Sequence, residues 1–138
     1  MSKLKKQIFE NVLPYVQKPG RYIGGEVNAV IKDPSRVAVK LLLAFPDVYE
    51  IGMSHFGCKI LYELVNGDPR FSAERAFAPW PDMEKLMREQ RIPVCSLENF
   101  LPARDFDIVG FSLQYELTYT NILNMLDADR QPDEIVRH

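Results

Sequence analysis

A chain of 138 residues, 46% hydrophobic and 26% charged, suits one domain with a buried core. Its formal net charge of -2 and pI near 5.7 supply no broad positive field, which argues against nucleic acid as a partner. No run approaches the ~20 apolar residues that span a bilayer, and Met1 to Lys6 are not followed by a signal-peptide core, so no membrane contact and a cytoplasmic location are expected.

Leu4, Ile8 and Val12, with Phe9, Leu13 and Val16, fall at helical spacing and predict a short leader helix, ended by Pro14 and Lys18-Pro19-Gly20. Residues 26–32 and 36–45 read as two extended runs around the turn composition Asp33-Pro34-Ser35. The second is apolar from Val37 to Phe45 apart from Lys40, the pattern of a strand covered on both faces. Beyond residues 46–57 comes a helix with Ile60, Leu61, Leu64 and Val65 as its expected inner face, stopped by Asn66-Gly67-Asp68-Pro69.

Residues 74–78 are a short strand candidate, and Asp82 suits the N-cap of a helix carrying Met83, Leu86 and Met87 on one side. A further short strand is expected over 93–97. Asp107 to Leu113 is another apolar run, followed by a helix with Leu117, Ile122, Leu123 and Leu126. Strands alternating with helices predict an α/β fold with a doubly wound parallel sheet, and right-handed crossovers put the Val37 strand at its centre. The expected organisation is a helix and extended lead-in over 1–35, an incomplete α/β domain over 36–127, and a frayed tail over 128–138 that contains Pro132 and many charges.

Ligands of open parallel sheets bind outside the carboxyl ends of the strands, where strand order reverses. That rule selects two segments. The first, 46–57, is about twelve residues long where such connections usually take ~2–6, and it holds Gly52 and Gly57. The second, 112–118, carries Ser112, Gln114, Tyr115 and Glu116, with helix capping by Ser112 or Thr118 as the plainer alternative. Gly52 and Gly57 have the wrong spacing for a dinucleotide fingerprint, Ser54 alone makes a poor flavin phosphate loop, and Ser112 stands where a receiver domain needs aspartate. Asp47, Glu50 and His55 could form an acid–base group, against which stands the simpler reading of solvated loop charges. Cys58 and Cys95 belong to no ligand cluster, and two histidines, His55 and His138, are too few for a metal site. The cysteines therefore read as buried apolar thiols, with no iron-sulfur cluster in this chain.

Four separated segments, 18–28 (KPGRYIGGEVN), 45–57 (FPDVYEIGMSHFG), 77–84 (FAPWPDME) and 110–121 (GFSLQYELTYTN), together resemble the start of the B12-binding-domain radical SAM proteins. The resemblance covers roughly residues 15–127. It implies a flavodoxin-like (Rossmann-like) cobalamin-binding-type domain, incomplete, with an N-terminal helix and an added strand, of the kind that precedes a radical SAM catalytic domain. Corrinoid contacts are then expected from Tyr49, Gly52, Met53, Ser54, His55 and Gly57 on the first segment, and from Ser112, Leu113, Gln114 and Tyr115 on the second.

The D-x-H-x-x-G of histidine-ligated cobalamin domains is broken by Met53 and Cys58, which implies a histidine-off mode. The later strands and the C-x-x-x-C-x-x-C of the catalytic portion are not seen. A binding module without catalysis of its own is therefore expected. The alternative is a truncated domain that no longer binds cobalamin and serves as an interaction or structural module. The strand at 107–113 would lack its outer neighbour, so a homodimer through that exposed edge is also expected.

Overall fold

The computed structural model describes residues 2–129. Its centre is β1 (Val39–Phe45), where strict alternation divides the side chains between two faces. Leu42 and Ala44 enter a larger core, and Leu41 and Leu43 face a smaller one. Two strands flank it in parallel, β2 (Phe71–Phe77) and β3 (Ile108–Phe111), giving the order β2-β1-β3. The register runs from Val39 opposite Phe71 to Phe45 opposite Phe77, and from Leu41 opposite Ile108 to Ala44 opposite Phe111. This three-stranded, all-parallel open sheet with its helices is the incomplete flavodoxin-like α/β fold, and the Val37 run supplies the central strand as expected.

Among the described residues five α-helices accompany the sheet: α1 (Lys3–Asn11), α2 (Tyr49–Met53), α3 (Phe56–Asn66), α4 (Pro81–Gln90) and α5 (Tyr119–Asp129). Ile8 and Val12 of the N-terminal helix, Met83 and Met87 of α4 and Met125 of α5 share the larger core with Leu42, Ala44 and Ala76. On the opposite face lies α3, with Tyr62 over Leu43 and Ala73.

Five local expectations are corrected here. Residues 26–32 join no sheet, so there is no added strand: Val27 is fully exposed, and side chains rather than a ladder bond this backbone, with the Tyr62 hydroxyl on the Val30 amide and the Asn99 amide on the Lys32 carbonyl. The inner face of α3 is Tyr62 with Val65, whereas Ile60, Leu61 and Leu64 point outward, because among the described residues only one helix covers this side of the sheet. Residues 93–97 make a single antiparallel bridge, Cys95 to Pro102, instead of a strand. Trp80 occupies the N-cap of α4 with Pro81 at the first helical position, and Asp82 in the first turn accepts from the Gln17 amide at 2.9 Å. β2 also begins earlier than its sequence pattern suggested, at Phe71. The expected frayed tail lies, from residue 130 onward, outside the described residues.

The outer edge of β2 is closed without a strand. The Lys32 ammonium donates to the Phe71 carbonyl, the Asn66 side-chain amide bonds both backbone groups of Ala73, and Glu98 and the Leu97 amide take those of Arg75. Lys32 also donates to the carbonyls of Asn66 and Asp68. Side chains and a loop thus supply what a fourth strand would have supplied.

Candidate functional site

With β1 at the centre, the chain leaves it to opposite sides for β2 and β3, so the strand-order reversal lies between β1 and β3. A cleft of about 500 Å³ opens there, at the carboxyl ends of those two strands. Phe45, Pro46 and Ile51 give it apolar wall, and Ser54, His55, Ser112, Gln114, Tyr115 and Thr118 bring polar groups from both connecting segments. A second hollow of about 280 Å³ shares His55 and Ser112 and continues over Gly110 between Gly57, Cys58 and Leu61.

Segment 46–57 is not the long loop its sequence suggested. Residues 49–53 form the short helix α2, and α3 starts three residues later, so the chain makes two tight corners instead of one open excursion. At the second corner His55 is the N-cap of α3, its Nδ1 accepting the Cys58 amide at 3.2 Å. A neutral ring that accepts at Nδ1 carries its proton on Nε2 and presents a donor there. The ring also packs on Phe45, with centroids 5.2 Å apart. On the facing segment the Gln114 side-chain amide donates to the Ser112 hydroxyl at 2.8 Å, and the Thr118 hydroxyl donates to the Tyr115 carbonyl ahead of α5.

Of the ten residues expected to contact a ligand, six therefore line these hollows: Ser54, His55, Gly57, Ser112, Gln114 and Tyr115. Leu113 is exposed beside them. The other three are turned into the protein. Tyr49 donates its hydroxyl to Glu26 and sets its ring edge-on to Phe77, and that environment pushes the phenol up to about 12, burial first and the Glu26 carboxylate second. Met53 places its sulfur 3.6 Å from a guanidinium nitrogen of Arg75. Gly52 is buried, and a Cβ there would lie 2.1 Å from the Phe77 ring, so its missing side chain makes room for a phenylalanine.

Asp47 and Glu50 border the cleft with His55, yet each is engaged locally. Asp47 accepts the Val48 amide, and Glu50 pairs with Arg21 at 2.9 Å, which holds its carboxyl below the usual range. They form no proton-transfer group with His55. Sequence reasoning missed Cys58, which it read as core. Helical spacing carried a signal, since position 58 is one turn beyond His55, and Cys58 lines the second hollow together with Ser112, with burial the larger influence and raising its pKa.

Three of the quoted sequence segments meet beside α2 and explain one another. Arg21 pairs with Glu50 and lies over the Trp80 ring at 5.1 Å, Tyr49 reaches Glu26, and the Tyr22 hydroxyl accepts the Trp80 amide at 3.1 Å. Gly24 takes a φ of +69 against the Leu97 carbonyl, where a Cβ would come within 2.4 Å. The lead-in is thus a strap fastened across the end of the sheet. Below it, Arg75 and Glu98 form a buried pair at 2.8 Å, with the guanidinium 4.1 Å above the Tyr62 ring. Among the described residues no three His, Cys, Asp or Glu side chains are placed to hold a metal, and no helix is long and apolar enough to cross a membrane.

Fold and cleft together define an incomplete doubly wound α/β domain with a ligand-type crevice at its switch point. The family model described as radical SAM proteins, N-terminal, matches residues 57–133, more than half of the chain, and the chain belongs to that family. Comparison with curated proteins gave no match, and comparison with solved structures gave none.

Proposed function

We propose that this radical SAM N-terminal module is a corrinoid holder, with the crevice between the carboxyl ends of β1 and β3 as its site and without catalysis of its own. The observation that carries the reading is the convergence of Ser54 and His55 from one segment with Ser112, Gln114 and Tyr115 from the other around a single cleft. A flat macrocycle fringed with amide arms needs an apolar shelf and a few directed polar groups. Phe45, Ile51 and Phe111 offer the shelf, and the two serines and Gln114 offer the polar groups.

The donor set also fits a histidine-off mode. His55 spends its Nδ1 lone pair on the cap of α3, so Nε2–H can donate to an amide oxygen but cannot ligate cobalt. When bound, a corrinoid would supply alkyl-cobalt chemistry to a separate radical SAM catalytic domain. This chain's residues would orient the group and shield one face of it from water.

Titration with hydroxocobalamin, followed by absorbance and calorimetry, tests the reading. Saturable one-to-one binding is expected, and Gln114→Trp, which fills the cleft from an exposed position, should abolish it while leaving the far-ultraviolet circular dichroism unchanged. No binding by the folded wild-type chain would refute the proposal. The outward apolar row of α3 favours a second reading, a protein-interaction module, and that negative result would leave it standing.

A further inference from the structure

The two edges of the sheet are treated differently. Along β2, Lys32, Asn66, Glu98 and the Leu97 amide occupy the outward backbone groups. Along β3 no strand is paired outside β1 among the described residues. The Ser112 amide reaches the Ala44 carbonyl while Ala44 is in register with Phe111, so residues 108, 110 and 112 face β1. By alternation, Val109 and Phe111 turn their N–H and C=O groups to the open side.

Protein edges are normally guarded by charge, proline or a bulge. Between Asp107 and Glu116 the chain carries no charged residue and no proline. Leu61 of α3 and Leu126 of α5 line hollows beside β3, and these two, Leu64 and Leu123 further along the same helices, and Ile108 at the start of the strand are each about half exposed or more. Arg88 draws α5 toward α4 through Asn124 at 2.6 Å and Asp127 at 3.0 Å, and Asn121 ties it to the Pro46 carbonyl.

We infer that the β3 edge is a strand-pairing interface for a second copy of this chain, forming a closed two-fold dimer with a six-stranded sheet. Antiparallel pairing about Gly110 sets Val109 of one copy opposite Phe111 of the other, so both outward residues exchange their backbone bonds. The stretch is uncharged, so a second copy brings no like charge across the axis, and Ile108 and the leucine rows meet apolar counterparts. These rows and the strand together supply the apolar centre that a stable interface carries.

Sedimentation velocity on the 138-residue chain from low to high micromolar concentration reads the outcome. A monomer–dimer equilibrium is expected. Ile108→Lys, which sets two like charges near the axis, and Val109→Pro, which removes an outward donor without touching the β1 ladder, should each weaken it at least ~10-fold. If either variant fails to fold, hydrogen exchange on the wild type decides instead: protection of the Val109 and Phe111 amides should rise with protein concentration. A wild-type monomer at high micromolar concentration, a dimer indifferent to both variants, concentration-independent exchange at those amides, or an open series of larger oligomers would each overturn the inference.

Discussion

Adding one methyl group at Gly52 tests whether that position belongs to the packing or to the ligand site. Gly52 lies in α2, where replacing glycine by alanine normally gains ~1 kcal/mol of helix propensity. Against this, the new Cβ would sit 2.1 and 2.2 Å from two atoms of the Phe77 ring and 3.3 Å from Phe45. Carbon atoms prefer ~3.5–4.0 Å, so the ring must retreat by well over an ångström. It is not free to do so, because Tyr49 packs edge-on against it at 5.7 Å and is itself tied to Glu26. Overpacking of this kind costs ~1–3 kcal/mol. Gly52→Ala should therefore be destabilising by ~0–2 kcal/mol net, and Gly52→Val by more. Urea denaturation should show a lower midpoint with an unchanged m-value, and Phe77→Leu in the same chain should recover much of the loss. A Gly52→Ala protein more stable than wild type would show that the ring yields freely and would refute the packing argument.

Other expectations rest on single contacts. Glu98→Gln removes the carboxylate that neutralises Arg75, one of whose guanidinium nitrogens is already buried without a partner, so denaturation should show a loss of ~3–5 kcal/mol that Arg75→Met in the same chain partly restores. Lys32→Met strips three backbone carbonyls of their donor and should cost ~1–3 kcal/mol, read as a lower midpoint in thermal unfolding. Burial pushes the Cys95 thiol up to about 12, so mass spectrometry after alkylation at pH 8 should find it unmodified until the protein unfolds. Cys58, on the cleft wall, should be alkylated slowly at that pH and faster as pH rises, and bound hydroxocobalamin should protect it; modification indifferent to corrinoid would place the ligand elsewhere.

The sheet was legible because its signals are local. The run from Val37 to Phe45 could only be a strand covered on both sides, and β-α alternation then placed it centrally. The errors arose where tertiary partners decide. Ile60, Leu61 and Leu64 read as an inner face because apolar residues at helical spacing usually are one, yet among the described residues only one helix covers that side and Tyr62 takes the inward position. Residues 26–32 look like a strand by composition, but the groups that bond their backbone, Tyr62 and Asn99, lie 32 and 67 residues away and leave no local mark. Segments 46–57 and 112–118 could be selected from the topology rule alone. Which side chains enter the cleft could not, since α2 rotates Tyr49, Gly52 and Met53 inward within a stretch that carries the punctuation of a loop.

The strap over the end of the sheet bears on the order in which this chain acquires structure. Its fastenings span long loops: Gln17 waits for Asp82 across 65 residues, Tyr22 for Trp80 across 58, and the N-terminal helix meets Gln90 across 83 and 79. Contacts of such separation are slow to form, because the loop must close before any of them contributes. Residues 1–30 leave the ribosome before residues 81–100, yet the seat for Ile8 and Phe9 of α1, and for Val12 at its C-cap, stays incomplete until α4 and Phe100 have emerged. The lead-in is thus made before its partners and is among the last parts to settle, and the crevice gains its fixed rim, through Arg21 and Glu50, only when the lead-in folds back to it.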